Sequence, residues 1–92
     1  MNEVIGRSII VTGDVQGVFY RASTKEQAWS LKLNGWVKNL ISGQVQIEVF
    51  GSEPQVTALI DWCKSGPPMA NVTAVQIAEI PVRLENSFNI IY

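Results

Sequence analysis

In Gln44-Val45-Gln46-Ile47-Glu48-Val49-Phe50, the apolar Val45, Ile47 and Val49 alternate with the polar Gln44, Gln46 and Glu48. Successive side chains of a strand point to opposite faces, so Val45, Ile47 and Val49 share one buried face and Gln44, Gln46 and Glu48 share the other. Such a strand belongs to a sheet that is covered on one side only. The residues that follow supply a cover. Ser52 and Gln55 have capping-box spacing, and Val56, Leu59, Ile60 and Cys63 then recur at i, i+3, i+4 and i+7, which predicts a helix with one apolar face. Ser65-Gly66-Pro67-Pro68 ends it.

Outward from this pair, the same reading applies to the rest of the chain. Trp36-Val37-Lys38-Asn39 is a strand joined to the first by a Ser42-Gly43 turn. Asn34-Gly35 stops an earlier helix, Tyr20 to Leu33, in which Thr24, Ala28 and Leu31 fall on one face. Arg7 to Thr12 is β-branched and closed by Gly13, so it is a strand. Towards the C-terminus, Val72 to Ile80 is a strand whose alternation falters as it would at a bulge, Pro81 interrupts it, and Phe88 to Tyr92 is a short last strand. The order β-α-β-β-α-β with an extra C-terminal strand predicts an α+β ferredoxin-like sandwich, an antiparallel sheet with both helices on one face.

Composition narrows the chemistry. A chain of 92 residues is expected to be a single domain, 1–92, with a radius of gyration of ~12 Å. With 47% hydrophobic and 16% charged residues it has a core to form and is not a disordered tail. A net charge of −1 supplies no general basic field, so neither nucleic acid nor an anionic membrane is an expected partner. No apolar run is long enough for a spanning helix or a signal peptide, and a monomer in the cytoplasm is the expectation. Cys63 is the sole cysteine, in keeping with a reducing compartment. Histidine is absent, which removes Ser-His and Cys-His pairs, a phosphohistidine intermediate and His-ligated metals together. Glu3, Asp14, Glu26, Glu48, Glu53, Asp61, Glu79 and Glu85 are dispersed over separate elements, so spacing yields neither a metal cluster nor an acid/base pair.

The informative connection is Gly13-Asp14-Val15-Gln16-Gly17-Val18-Phe19-Tyr20-Arg21, between the first strand and the first helix. A Gly at positive φ can turn successive backbone N–H groups into one concavity, and the helix start adds further unpaired donors. Arg21 stands in the first helical turn, where a cation has the wrong sign for the helix dipole unless an anion lies between them. The competing reading is a plain turn with Arg21 in solvent, either free or paired to Asp14 or Glu26. Asn39, at the end of its strand, can hold a water through an amide that both donates and accepts, or it can simply open the 39–43 loop. Cys63 is no cysteine-phosphatase nucleophile, since Met69 stands where that loop requires Arg. Trp29, Trp36, Trp62 and Phe50 read as core or half-exposed sheet cover rather than a stacking platform for bases. An RNA-recognition module shares the architecture, but residues 44–51 lack its aromatic and basic pattern.

Gly13-x-Val15-Gln16-Gly17-Val18-x-Tyr20-Arg21, Gly35-Trp36-Val37-Lys38-Asn39, Gly43-x-Val45, Gly66-Pro67-Pro68 and Phe88-x-Ile90-x-Tyr92 together resemble the acylphosphatase family over nearly the whole chain. The resemblance implies hydrolysis of small acyl phosphates to carboxylate and inorganic phosphate, with no metal and no cofactor. It implies that Arg21 and the amides of Val15, Gln16, Gly17, Val18, Phe19, Tyr20 and Arg21 bind the phosphoryl group, and that Asn39 positions the attacking water. Inorganic phosphate is then product or inhibitor. Four residues depart from the family pattern. Tyr20 replaces a common Phe, Lys32 a helix-end Gly, Ser42 an Asp or Asn, and Ile91 an Arg. A left-handed Lys32 would carry ~1–2 kcal/mol of strain. The alternative from another class is a non-catalytic anion-binding or regulatory module, since fold does not fix function. A domain cut from a larger maturation enzyme is a third possibility, against which the chain's end at Tyr92, with its last strand, favours a free-standing protein.

Overall fold

The computed structural model describes residues 3–92; Met1 and Asn2 of the expected 1–92 domain lie outside them. The elements follow the predicted order: β1 (Val4–Asp14), α1 (Tyr20–Ser30), β2 (Asn34–Asn39), β3 (Val45–Ser52), α2 (Glu53–Cys63), β4 (Asn71–Ile80) and β5 (Phe88–Ile91). They form one five-stranded sheet in the order β4-β1-β3-β2-β5. β3 is central, antiparallel to β1 with Ile9 opposite Ile47 and to β2 with Val37 opposite Ile47. β4 is antiparallel to β1, and the faltering alternation of its sequence is a register shift at Thr12/Gly13.

The sheet is mixed rather than wholly antiparallel, because β5 runs parallel to β2 with Gly35 beside Phe88. Connectivity explains this. β4 ends at Ile80 opposite Gly6, near the start of β1. β1 and β2 are both antiparallel to β3, so they start at the same end of the sheet. A segment that crosses along that end enters beside the start of β2 and must run with it.

The core lies between the sheet and the two helices. α1 buries Tyr20, Thr24 and Ala28, and α2 buries Val56, Leu59 and Cys63 against Ile9, Val11, Val45, Ile47 and Val49. Full burial of one such aliphatic side chain contributes about 1.5–3 kcal/mol. The Cα radius of gyration is 12.0 Å. Phe50 is buried, Trp36 and Trp62 are half-buried, and Trp29 is exposed but donates its indole N–H to the Phe88 carbonyl at 3.1 Å. Phe50, Trp36 and Trp62 thus fit the reading as core or half-exposed cover, whereas Trp29, exposed on α1, does not.

Both helix ends differ from the sequence expectation in detail. α1 stops at Ser30, three residues early, because Lys32 is left-handed with φ 59°. The Lys32 and Leu33 N–H groups turn back onto the carbonyls of Trp29 and Ala28 at 3.1 and 2.9 Å, which is a Schellman ending closed by the buried pair Ala28 and Leu33. Ser52 is the N-cap residue of α2, but its hydroxyl bonds to Gln55 Oε1 at 2.6 Å rather than to a helix amide. Glu53 in the first turn has the sign the helix dipole favours.

Candidate active site

β1 leaves the sheet just after the register shift opposite β4, and the connection to α1 is anchored from below by Val15, whose side chain is buried. Gly17 has φ 76°, while a Cβ there would meet nothing within 4 Å. It is the conformation, not lack of space, that calls for glycine. Phe19 is also left-handed, with φ 64°, although its side chain is exposed. A non-glycine residue in that region costs ~1–2 kcal/mol, and strain of this kind concentrates at ligand-gripping segments. Nothing in the residue types marked Phe19 as strained.

α1 then begins without a side-chain cap and without an acid in its first turn. Among the described residues, the amides of residues 16–22 have no backbone acceptor. Alternating backbone hands and an uncapped helix start turn such donors towards one concavity. Arg21 sits in that turn, half-buried, with its guanidinium carbon 4.9 Å from the centroid of the Tyr92 ring. Neither Asp14 nor Glu26 is ion-paired to it among the described residues.

Asn39 closes β2 and is half-buried; its Oδ1 is shielded from solvent and has no partner among the described residues. A cleft of about 240 Å³ brings Asn39 together with Val15, Gly17, Phe19, Tyr20 and Arg21. Gln16 and Val18 belong to the same loop but not to this lining. Val18 packs against the core, and Gln16 turns its side chain to the β2–β3 hairpin. The cleft also takes in Ile90 and Tyr92, which the sequence marked only as part of a terminal motif.

Tyr20 is buried behind the cleft, its ring 5.4 Å from that of Trp62. Its hydroxyl donates to the Cys63 carbonyl at 2.9 Å. Burial, reinforced by the adjacent Cys63 thiol, pushes its phenol well above the ordinary range. Burial likewise pushes the Cys63 thiol up to about 12, so this cysteine is an inert core residue, as its helix-face position suggested. The carboxylates stay dispersed: among the described residues no three His, Cys, Asp or Glu side chains come together. No helix among the described residues is long and apolar enough to cross a membrane.

Two helices on one face of a sheet ordered β4-β1-β3-β2, with a donor-lined cleft where the first strand meets the first helix, define an α+β sandwich of the ferredoxin-like class. The acylphosphatase family model matches residues 7–90. An acylphosphatase of Methylococcus capsulatus is 46% identical over 74 residues, 80% of each chain. The acylphosphatase structure from Coxiella burnetii superposes with a TM-score of 0.92 at 38% identity, covering 97% of this chain and 93% of that one. That from Bacillus subtilis gives 0.93 at 34%, covering 98% and 100%. The chain belongs to the acylphosphatase family. Its reaction is the hydrolysis of small acyl phosphates.

Proposed function

We infer that the cleft is the active site and that it works without a metal. Arg21 and the backbone amides of residues 15–21 hold the phosphoryl group, and Asn39 orients the attacking water. The observation that carries this reading is the convergence, in one cleft, of an Arg without a carboxylate partner, an uncapped helix start and an Asn with an unpartnered buried oxygen.

In the reaction, water oxygen forms a bond to phosphorus as the bond from phosphorus to the acyl oxygen breaks. The acyl group leaves as carboxylate, and the proton of the attacking water passes to the phosphate product or to solvent. A loose phosphoryl-transfer transition state asks chiefly for neutralisation of charge on the equatorial oxygens and for in-line alignment. A guanidinium and a ring of amides meet the first demand. An amide oxygen that accepts from water meets the second. The leaving group resembles a carboxylate of pKa ~4.3, so it departs without a general acid. The absence of histidine is then no handicap. Chain 1–92 acts as one domain, as a cytosolic monomer, with inorganic phosphate as product and competitive inhibitor.

The test is hydrolysis of a synthetic acyl phosphate in the presence of a chelator, corrected for spontaneous decay. Full turnover with kcat flat between about pH 6.5 and 8 is expected, since the chain has no histidine and the reading uses no general base. Loss of activity on chelation would overturn metal independence. An enzyme-specific inflection near neutrality would replace the positioned water by a base, with Asp14 the first residue to examine.

A further inference from the structure

The phosphate-gripping loop and Asn39 come from elements that do not touch in the sheet. The loop follows β1, Asn39 ends β2, and β3 lies between those strands. Neighbouring strands lie ~4.8 Å apart, so the two groups are set two strand spacings from one another. Small errors in alignment across such a span would spoil in-line attack. Gln16 spans it. Its side-chain Nε2 donates to the Leu40 and Gln44 carbonyls, both at 2.8 Å, across 24 and 28 residues of sequence.

Those two carbonyls close the mouth of the β2–β3 hairpin. The Gln44 carbonyl also accepts the Leu40 N–H at 2.8 Å, and the Leu40 carbonyl accepts the Gly43 N–H at 3.1 Å. Both N–H groups of the Gln16 amide are therefore spent on carbonyls that are themselves fixed by the turn. Leu40 directly follows Asn39, and Gln16 lies between the buried anchor Val15 and the left-handed Gly17. We propose that the Gln16 side chain is a positioning strap: it registers the anion cradle against the hairpin end that carries Asn39, and so sets the direction from which water attacks. This rests on the reading of Arg21 and Asn39 given above. Its backbone amide contributes to the cradle; its side chain has this separate task.

The strap separates two quantities that simple loss of loop structure would change together. Gln16→Met keeps the length of the side chain and removes both donors. It is expected to lower kcat about 10- to 100-fold, the scale on which displacement of a positioned group acts. Inhibition by inorganic phosphate, which reports the cradle alone, should shift less than about threefold, since contacts used only in the transition state are reflected in kcat. In an Asn39→Ala background the same substitution should cost less than about threefold in kcat, because there is no oriented water left to misalign. Gln16→Ala is run in parallel, so that a variant that does not fold is replaced by one lacking the same donors. An equal factor in both backgrounds, or phosphate affinity falling in step with kcat, would overturn the strap. Undiminished kcat in Asn39→Ala alone would overturn the water-positioning role itself, and the strap's purpose with it.

Discussion

On the proposed reading Arg21 holds the phosphoryl group and Asn39 aligns the water, and their substitutions should divide in the same way. Arg21→Ala would then remove two charge-assisted bonds of ~1.5–3 kcal/mol each, so kcat/KM and phosphate affinity should both fall by roughly two to four decades. Asn39→Ala should lower kcat by ~10²–10³ while inorganic phosphate still binds. Steady-state kinetics with phosphate as inhibitor, on variants whose circular dichroism matches the parent, checks both. Lost phosphate binding with an intact kcat would move Asn39 into the cradle. Away from the site, Lys32 is held at φ 59°. Lys32→Gly should raise stability by about 1 kcal/mol in urea unfolding with kcat unchanged, because glycine adopts that conformation without its Cβ penalty. An unaltered midpoint would show that the side chain offsets the strain. At this scale the sequence was uneven. Gly17 announces a positive φ, whereas Lys32 could be suspected only through the family resemblance and Phe19 not at all, since neither side chain carries a local signal for that conformation.

Among the elements, α1 and α2 meet behind the cleft through Tyr20, which fills the core and caps a carbonyl at the end of α2. The hydroxyl that distinguishes it from the more common Phe therefore has a structural use. Two buried acids, Tyr20 and Cys63, have raised values in the fold and ordinary ones in the unfolded chain. Below the thiol's ordinary value of 9.0, both states keep their protons and stability does not depend on these groups. Above it the unfolded chain releases the Cys63 proton while the folded one retains it to about 12, so stability falls as pH rises. Tyr20 adds to the loss above its ordinary 10.0. Denaturation midpoints should thus decline from about pH 9 upwards, by one proton per group, and Tyr20→Phe combined with Cys63→Ala should flatten the decline. A wild-type midpoint constant to pH 11 would contradict the burial assigned to them. The periodicities of α2 and β3 were legible because each has one wet and one dry face. The parallel β5 was not, since pairing direction follows from where a crossing loop enters the sheet, and no local pattern records that.

For the molecule as a whole, the cleft draws on three separated stretches: the β1–α1 loop with the start of α1, the end of β2, and β5 with the residue that follows it. The sequence contains each as a motif, and spacing within each motif was readable. What it could not show is how they are held against each other, because the Gln16 bonds and the Arg21–Tyr92 stacking join residues far apart in the chain. The sheet order supplies that relation, placing β3 as a fixed spacer between the strand that leads to the β1–α1 loop and the strand that ends in Asn39. On the proposed reading the amides of residues 15–21 and Arg21 grip the phosphoryl group. Titrating the ¹⁵N-labelled protein with inorganic phosphate while following its amide resonances tests it most directly. Saturable shifts concentrated at residues 15–21, retained in Asn39→Ala and lost in Arg21→Ala, are the expected result; shifts centred elsewhere, such as around Arg83, or none at concentrations that inhibit hydrolysis, would contradict it.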